Sequence, residues 1–150
     1  MSFKEKMAWV SALVTAVVGA VYFGVVSARL DGAAVSEIDY KWWMIGAIGA
    51  TIVASIVGAI VMAIATAIRA EITGEGSVDD VDREDERDKS IDRRGELFGY
   101  YVSSVGVLAA LGLAWLRQDQ FWIANALYLF CLVGAVVSSV AKIVFYRRGF

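Results

Sequence analysis

The stretch that decides the fold is Trp42–Ile68, WWMIGAIGATIVASIVGAIVMAIATAI, which carries no charged residue from end to end. As an α-helix rising about 1.5 Å per residue it reaches about 40 Å, more than the roughly 30 Å of bilayer hydrocarbon. Such a run reads as a transmembrane helix that tilts or protrudes. Three further apolar runs flank it: Ala8–Ala28, Leu97–Leu116 and Phe121 to about Tyr146, the last uncharged as far as Ala141. Spans at about 8–28, 42–68, 97–116 and 121–146 predict an all-α integral membrane four-helix bundle, one membrane domain over 1–150, built from two helical hairpins. The composition agrees: 59% of the 150 residues are hydrophobic and 20% are charged, against about a quarter charged in a soluble domain.

The connections are short or highly charged. Lys4 and Lys6 before the first run resemble the start of a signal peptide, but the run is longer than the roughly 7–15 residues of a signal core, so it reads as a retained span. The link Arg29–Lys41, RLDGAAVSEIDYK, has an Asp31-Gly32 turn signal and a Ser36/Asp39 cap for a short interfacial helical turn. Arg117-Gln118-Asp119-Gln120 is long enough only to join antiparallel neighbours. Between the two halves lies Ser77–Glu96, SVDDVDREDERDKSIDRRGE, with nine of the sixteen acids and five of the fourteen bases. Ser77 and Asp80 have the spacing of a helix N-cap. The helix predicted from there carries an Asp85–Lys89 i,i+4 pair and either ends near Gly95 or swivels on it before the third span.

Charge sets the orientation. With the N-terminus inside, Lys4, Lys6, Arg69, the five bases of the central stretch, Lys142, Arg147 and Arg148 are inside, and only Arg29, Lys41 and Arg117 are outside. The positive-inside rule counts Lys and Arg and largely ignores acids. It predicts a multi-pass protein of the cell (plasma) membrane with both termini and the charged segment, about 71–96, in the cytoplasm. Aromatic residues fall at both predicted boundaries: Trp9, Phe98, Tyr100, Tyr101, Phe145 and Tyr146 inside, and Tyr40, Trp42, Trp43, Trp115, Phe121 and Trp122 outside. Their rings are apolar and their tips wet.

Lipid tails give helices no hydrophobic gain on association, so small residues that allow close approach must supply it. Ala12, Ala16, Ala20, Gly24 and Ala28 recur every four residues in the first span. Gly46, Ala50, Ala54 and Gly58 do so in the second, and Gly106, Ala110 and Ala114 in the third. These stripes predict close contact between the first two helices, or between copies in a homo-oligomer.

Much chemistry is excluded. There is no histidine and no proline, and Cys131 is the single cysteine. A disulfide within the chain and a CxxC redox pair are therefore impossible. Cys131, in LFCLVG, reads as a buried, inert thiol. No acid, lysine or arginine stands in the middle of a span, where a proton relay would need one. The polar span residues Ser11, Thr15, Thr51, Ser55, Thr66, Ser103, Ser104, Asn125, Ser138 and Ser139 read as backbone- or helix-bonding groups, with a pore lined by Thr51, Ser55, Ser103 and Ser104 as the alternative. Gly74-Glu75-Gly76 is too slight for a phosphate loop. Asp88, Asp92 and Glu96, with Asp85 partly on the same face, offer oxygen ligands to Mg²⁺ or Ca²⁺. The preferred reading is a solvated face balanced by Arg87, Lys89, Arg93 and Arg94. With a net charge of −2, nucleic acid is not an expected partner.

The string DERDKSIDRRGE, Asp85 to Glu96, set directly before a span, resembles a motif of uncharacterised small bacterial and archaeal membrane proteins. These have an Asp-Glu-Arg signature followed by an isoleucine and basic residues, between two helical hairpins. Asp85, Glu86, Arg87, Ile91 and Arg94 are the matching positions. The resemblance covers about 30 residues; it implies the same four-helix layout and brings no activity and no site.

These readings predict a non-enzymatic membrane protein without catalytic, cofactor or metal site. Its partners are the lipid bilayer, further copies of itself and a cytoplasmic protein. The charged segment, through Asp85, Glu86, Arg87, Asp88, Asp92, Arg93 and Arg94, serves as an interaction or regulatory element. The alternative is an oligomeric small-solute channel or transporter.

Overall fold

A computed structural model describes residues 3–30, 35–73 and 86–148. They form four long helices: α1 (Phe3–Leu30), α2 (Lys41–Thr73), α3 (Glu86–Trp115) and α4 (Gln120–Arg148). There is no strand among the described residues. All four helices are long and apolar enough to cross a membrane, over Phe3–Leu30, Lys41–Ile68, Glu86–Trp115 and Gln120–Arg148. This is the build of a multi-pass membrane protein. α1, α2 and α4 run past both ends of the spans read from hydropathy, and α3 past the start of its span, because helical hydrogen bonding does not stop where the apolar run stops. α2, with 33 residues, reaches about 50 Å.

Two expectations about the charged stretch fare differently. The Ser77/Asp80 cap, the Asp85–Lys89 pair and the Gly74–Gly76 break lie outside the described residues, as does the Asp31-Gly32 turn. Gly95 neither ends a helix nor divides one: α3 passes through it unbroken. The short turn between α1 and α2 is present as a 3-10 turn, Val35–Glu37. α3 closes at Arg117, whose φ of 54° is left-handed. Gln118 N–H donates to the Leu113 carbonyl and Arg117 N–H to that of Ala114, both at 3.0 Å. This pair of bonds is a Schellman ending, with arginine in the position that glycine usually holds.

The main packing contacts run α2–α1–α4–α3. α1 and α4 occupy the middle and lie antiparallel: Glu5 meets Arg147, Ser11 meets Ser139, and Tyr22 meets Asn125. The buried face of α1 is Glu5, Ala8, Ala12, Thr15, Gly19, Tyr22 and Val26. Its spacing alternates three and four residues, which keeps a face toward its partner. A stripe spaced strictly by four turns about 40° round the helix at each step and leaves the interface. Within the chain α1 and α2 do pack together, as expected, but not along the whole of either stripe. Ala12 is buried, but Ala16, Ala20 and Gly24 are exposed. In α2, Gly46 and Ala50 are exposed and Ala54 half-buried, while Gly58 meets Val10: a Cβ there would come within 2.6 Å of Val10 Cγ1.

The tightest seam joins α3 to α4. A Cβ on Gly99 would stand 2.7 Å from the Gly134 carbonyl oxygen, and one on Gly134 would stand 2.8 Å from that of Gly99. Here two backbones touch, which only glycine permits. Gly106 makes room for Phe130, and Gly95 for Lys142. At the end away from the termini, Tyr22, Val26, Ile38, Tyr40 and Phe121 form a small core. Tyr40 and Phe121 meet edge to face at 5.1 Å. Tyr22 Oη donates to Asn125 Oδ1 at 2.8 Å, and Asn125 Nδ2 donates to the Phe121 carbonyl. Cys131 is exposed, so the expectation of a buried thiol is corrected: its place in an apolar run reflects a face turned to lipid, not to the core.

Gly134→Leu is expected to destabilise the protein by about 2 kcal/mol or more through overpacking against a backbone. Gly112→Leu, where nothing lies within 4 Å of the added carbon, is expected to leave the thermal midpoint in detergent within about a degree of native. Arg117→Gly relieves a left-handed backbone that costs a side chain about 1 kcal/mol; it is expected to raise the midpoint in the same assay.

Candidate functional site

Charge collects at one end of the bundle because three helix ends meet there: the start of α1, the start of α3 and the end of α4. Asp92 is the hub. Its carboxylate lies 3.2 Å from Lys142 Nζ of α4 and 3.8 Å from Lys4 Nζ of α1. Lys142 Nζ also reaches Glu96 at 3.4 Å. Glu5 is buried, and Arg147 Nε donates to it at 3.5 Å. The Arg147 guanidinium lies 5.5 Å from the centre of the Trp9 ring, within cation–π range. The Tyr146 hydroxyl is buried beside Asp88 without completing a well-formed hydrogen bond.

Gly95 is what lets this collar close. The aliphatic part of Lys142 lies where its side chain would be. The lysine stem is thereby covered while its ammonium reaches Asp92, one turn before Gly95, and Glu96, next to it, the usual division of labour in a long basic side chain. The Lys142 side chain retains 20% exposure and that of Asp92 29%, so their attraction is only partly screened by water. The Glu86–Lys89 pair, at 3.6 Å with the Glu86 side chain 91% exposed, is a surface contact and contributes little.

The residues predicted to form an interaction surface are thus divided. Asp85 lies outside the described residues. Glu86, Arg87, Arg93 and Arg94 are exposed, and Asp88 and Asp92 are half-buried. The reading in which the acids are balanced by bases of their own helix is corrected for Asp92 and Glu96, whose partners are Lys142 and, for Asp92, Lys4, on other helices. Glu86 does pair within its helix, with Lys89. Sequence reasoning missed Glu5 and the pairing roles of Lys4, Lys142 and Arg147. A usable signal existed: the four-residue spacing of Asp88, Asp92 and Glu96 puts three acids on one face. Nothing in the sequence showed which lysines met that face.

On the outer side of the same α3 turns is a cavity of about 380 Å³ lined by Arg87, Ser90, Ile91, Arg94 and Phe145. Among the described residues no group of three or more acid, cysteine or histidine side chains is placed to hold a metal ion. Within one chain the polar span residues that the pore alternative needs are not gathered. Thr51 is on α2 and Ser103 and Ser104 are on α3, helices at opposite ends of the packing order. Thr51 bonds to the Ala47 carbonyl and Ser104 to that of Tyr100. No family model, no curated protein and no solved structure matches the chain.

Lys142→Ala removes the shared cation of Asp92 and Glu96. It is expected to cost about 1–3 kcal/mol. Lys89→Ala is expected to cost less than about 0.5 kcal/mol. Thermal unfolding of both variants in one detergent, at low and at high salt, checks the order; the gap should narrow as salt rises.

Proposed function

We propose that the protein is a non-enzymatic, multi-pass protein of the plasma membrane whose charged segment acts as a cytoplasmic interaction or regulatory element. One observation carries the proposal: the charged turns of α3 and its apolar turns form one unbroken helix. A partner that binds at Glu86, Arg87, Asp88 or Arg93 holds the start of a rod that continues along α4. The membrane spans offer no competing ionisable group in mid-helix.

In this reading the chain is two helical hairpins, α1–α2 and α3–α4, with both termini inside. The collar end holds the larger share of lysine and arginine, which is what the positive-inside rule asks of a cytoplasmic end. The layout is that of the Asp-Glu-Arg membrane proteins, and kinship with them is part of the proposal. Homo-oligomers form through outward-facing Ala16, Ala20, Gly24, Gly46 and Ala50, which leave room for a second backbone. The oligomeric channel is the weaker reading, because two of the four hydroxyls it would need, those of Thr51 and Ser104, already bond to carbonyls of their own helices.

The test is a photocrosslinking residue at Arg93, in living cells, compared with one at Trp115 on the opposite end. The expected result is a discrete protein adduct from position 93 that Asp88→Ala reduces at least fivefold. Adducts no stronger than those from position 115 contradict the proposal.

A further inference from the structure

We propose that the cavity lined by Arg87, Ser90, Ile91, Arg94 and Phe145 binds the phosphate headgroup of an anionic phospholipid. Four features converge on it. Arg87 and Arg94 are seven residues apart and so share a face of α3, with Ser90 between them. Two guanidiniums and a hydroxyl suit a phosphate, which arginine grips through paired N–H donors. Among the described residues that line the cavity there is no carboxylate. Asp88, Asp92 and Glu96 lie roughly 100° or more round the helix from the two arginines, and Lys142 and Lys4 draw Asp92 and Lys142 draws Glu96 toward α4 and α1. On these turns Asp92 and Glu96 are thus held toward the bundle, while Arg87 and Arg94 line the cavity.

The remaining lining distinguishes a lipid from a soluble phosphate. Ile91 is 2% exposed and forms a dry floor. Phe145 lies against Phe98, ring centres 6.1 Å apart, and Phe98 is exposed at the start of the apolar part of α3. A headgroup held by the arginines would leave its acyl chains running down over Phe145 and Phe98 into the hydrocarbon. A free anion would have no use for that surface. The inference rests on the membrane placement proposed above, but not on which side this end faces nor on any protein partner.

The experiment is native mass spectrometry of the full chain, delipidated in neutral detergent and titrated with phosphatidylglycerol or with phosphatidylcholine of the same acyl chains. Phosphatidylglycerol is expected to bind at about thirtyfold lower concentration, on the scale of two basic groups at a membrane surface. Arg87→Gln with Arg94→Gln should abolish that preference, and Arg148→Gln, a base at the same end outside the cavity, should keep it. Equal binding of the two lipids by the native chain overturns the proposal. So does a preference unchanged in the double variant, one lost equally in Arg148→Gln, or one removed by millimolar inorganic phosphate. If the double variant does not elute as the native protein does, Ser90→Leu decides. It replaces the hydroxyl with an apolar branch inside the cavity and leaves both charges, and an unchanged preference there overturns the proposal. Because no cell component enters this assay, its failure leaves the crosslinking result at Arg93 standing, and the reverse holds too.

Discussion

The backbone contact of Gly99 with Gly134 is the constraint on which the rest of the structure depends. In lipid, two apolar helices gain nothing by meeting unless they meet more closely than either meets acyl chains. Gly99 and Gly134 allow that, and they fix where along α3 and α4 the helices touch. Gly106 with Phe130 and Gly95 with Lys142 then follow in register on either side. Lys142 is carried by that register to the acids of α3. The ion-pair collar is thus a consequence of the glycine seam several residues deeper in the bundle.

The same logic gives the remaining helices their roles. α1 lies along the other side of α4 through an alternating three-and-four face, finished at one end by Glu5 with Arg147 and at the other by Tyr22 with Asn125. Both are polar contacts at a largely apolar interface, and each specifies register where apolar packing alone would slide. α2 has the least cover, with only 6% of its span buried. Its exposed residues from Ile45 to Ile68 are all apolar and so face lipid or a second copy.

How far the sequence could be read follows from the range of each interaction. The four helices were legible because hydropathy is a local property and a bilayer demands about 20 apolar residues in a row. The ends were legible to within a few residues, and the Ser77 and Asp31 signals fall where no residue is described. The packing faces were not legible in the same way. Ala16, Ala20 and Gly24 looked like an interface because they are small and regular, yet regularity of four turns a stripe away from a straight partner. From sequence Gly95 reads as a helix end or a swivel because glycine is often one; only the position of Lys142 explains why it is there. Asp92 and Lys142 are fifty residues apart, and Asp92 and Lys4 farther still, so their pairing depends on a fold that no local pattern encodes.

In the proposed orientation α3 begins at a cytoplasmic collar shared with both termini and ends at the outer face. Thiol labelling of intact cells tests it most directly, using Cys131→Ser as the background and single cysteines at Glu86, Arg148 and Arg117. With a membrane-impermeant reagent, the account predicts that the cysteine at 117 is labelled in intact cells. Those at 86 and 148 should be labelled only after the membrane is opened. Labelling of 86 and 117 from the same side, or of 86 and 148 from opposite sides, would contradict it.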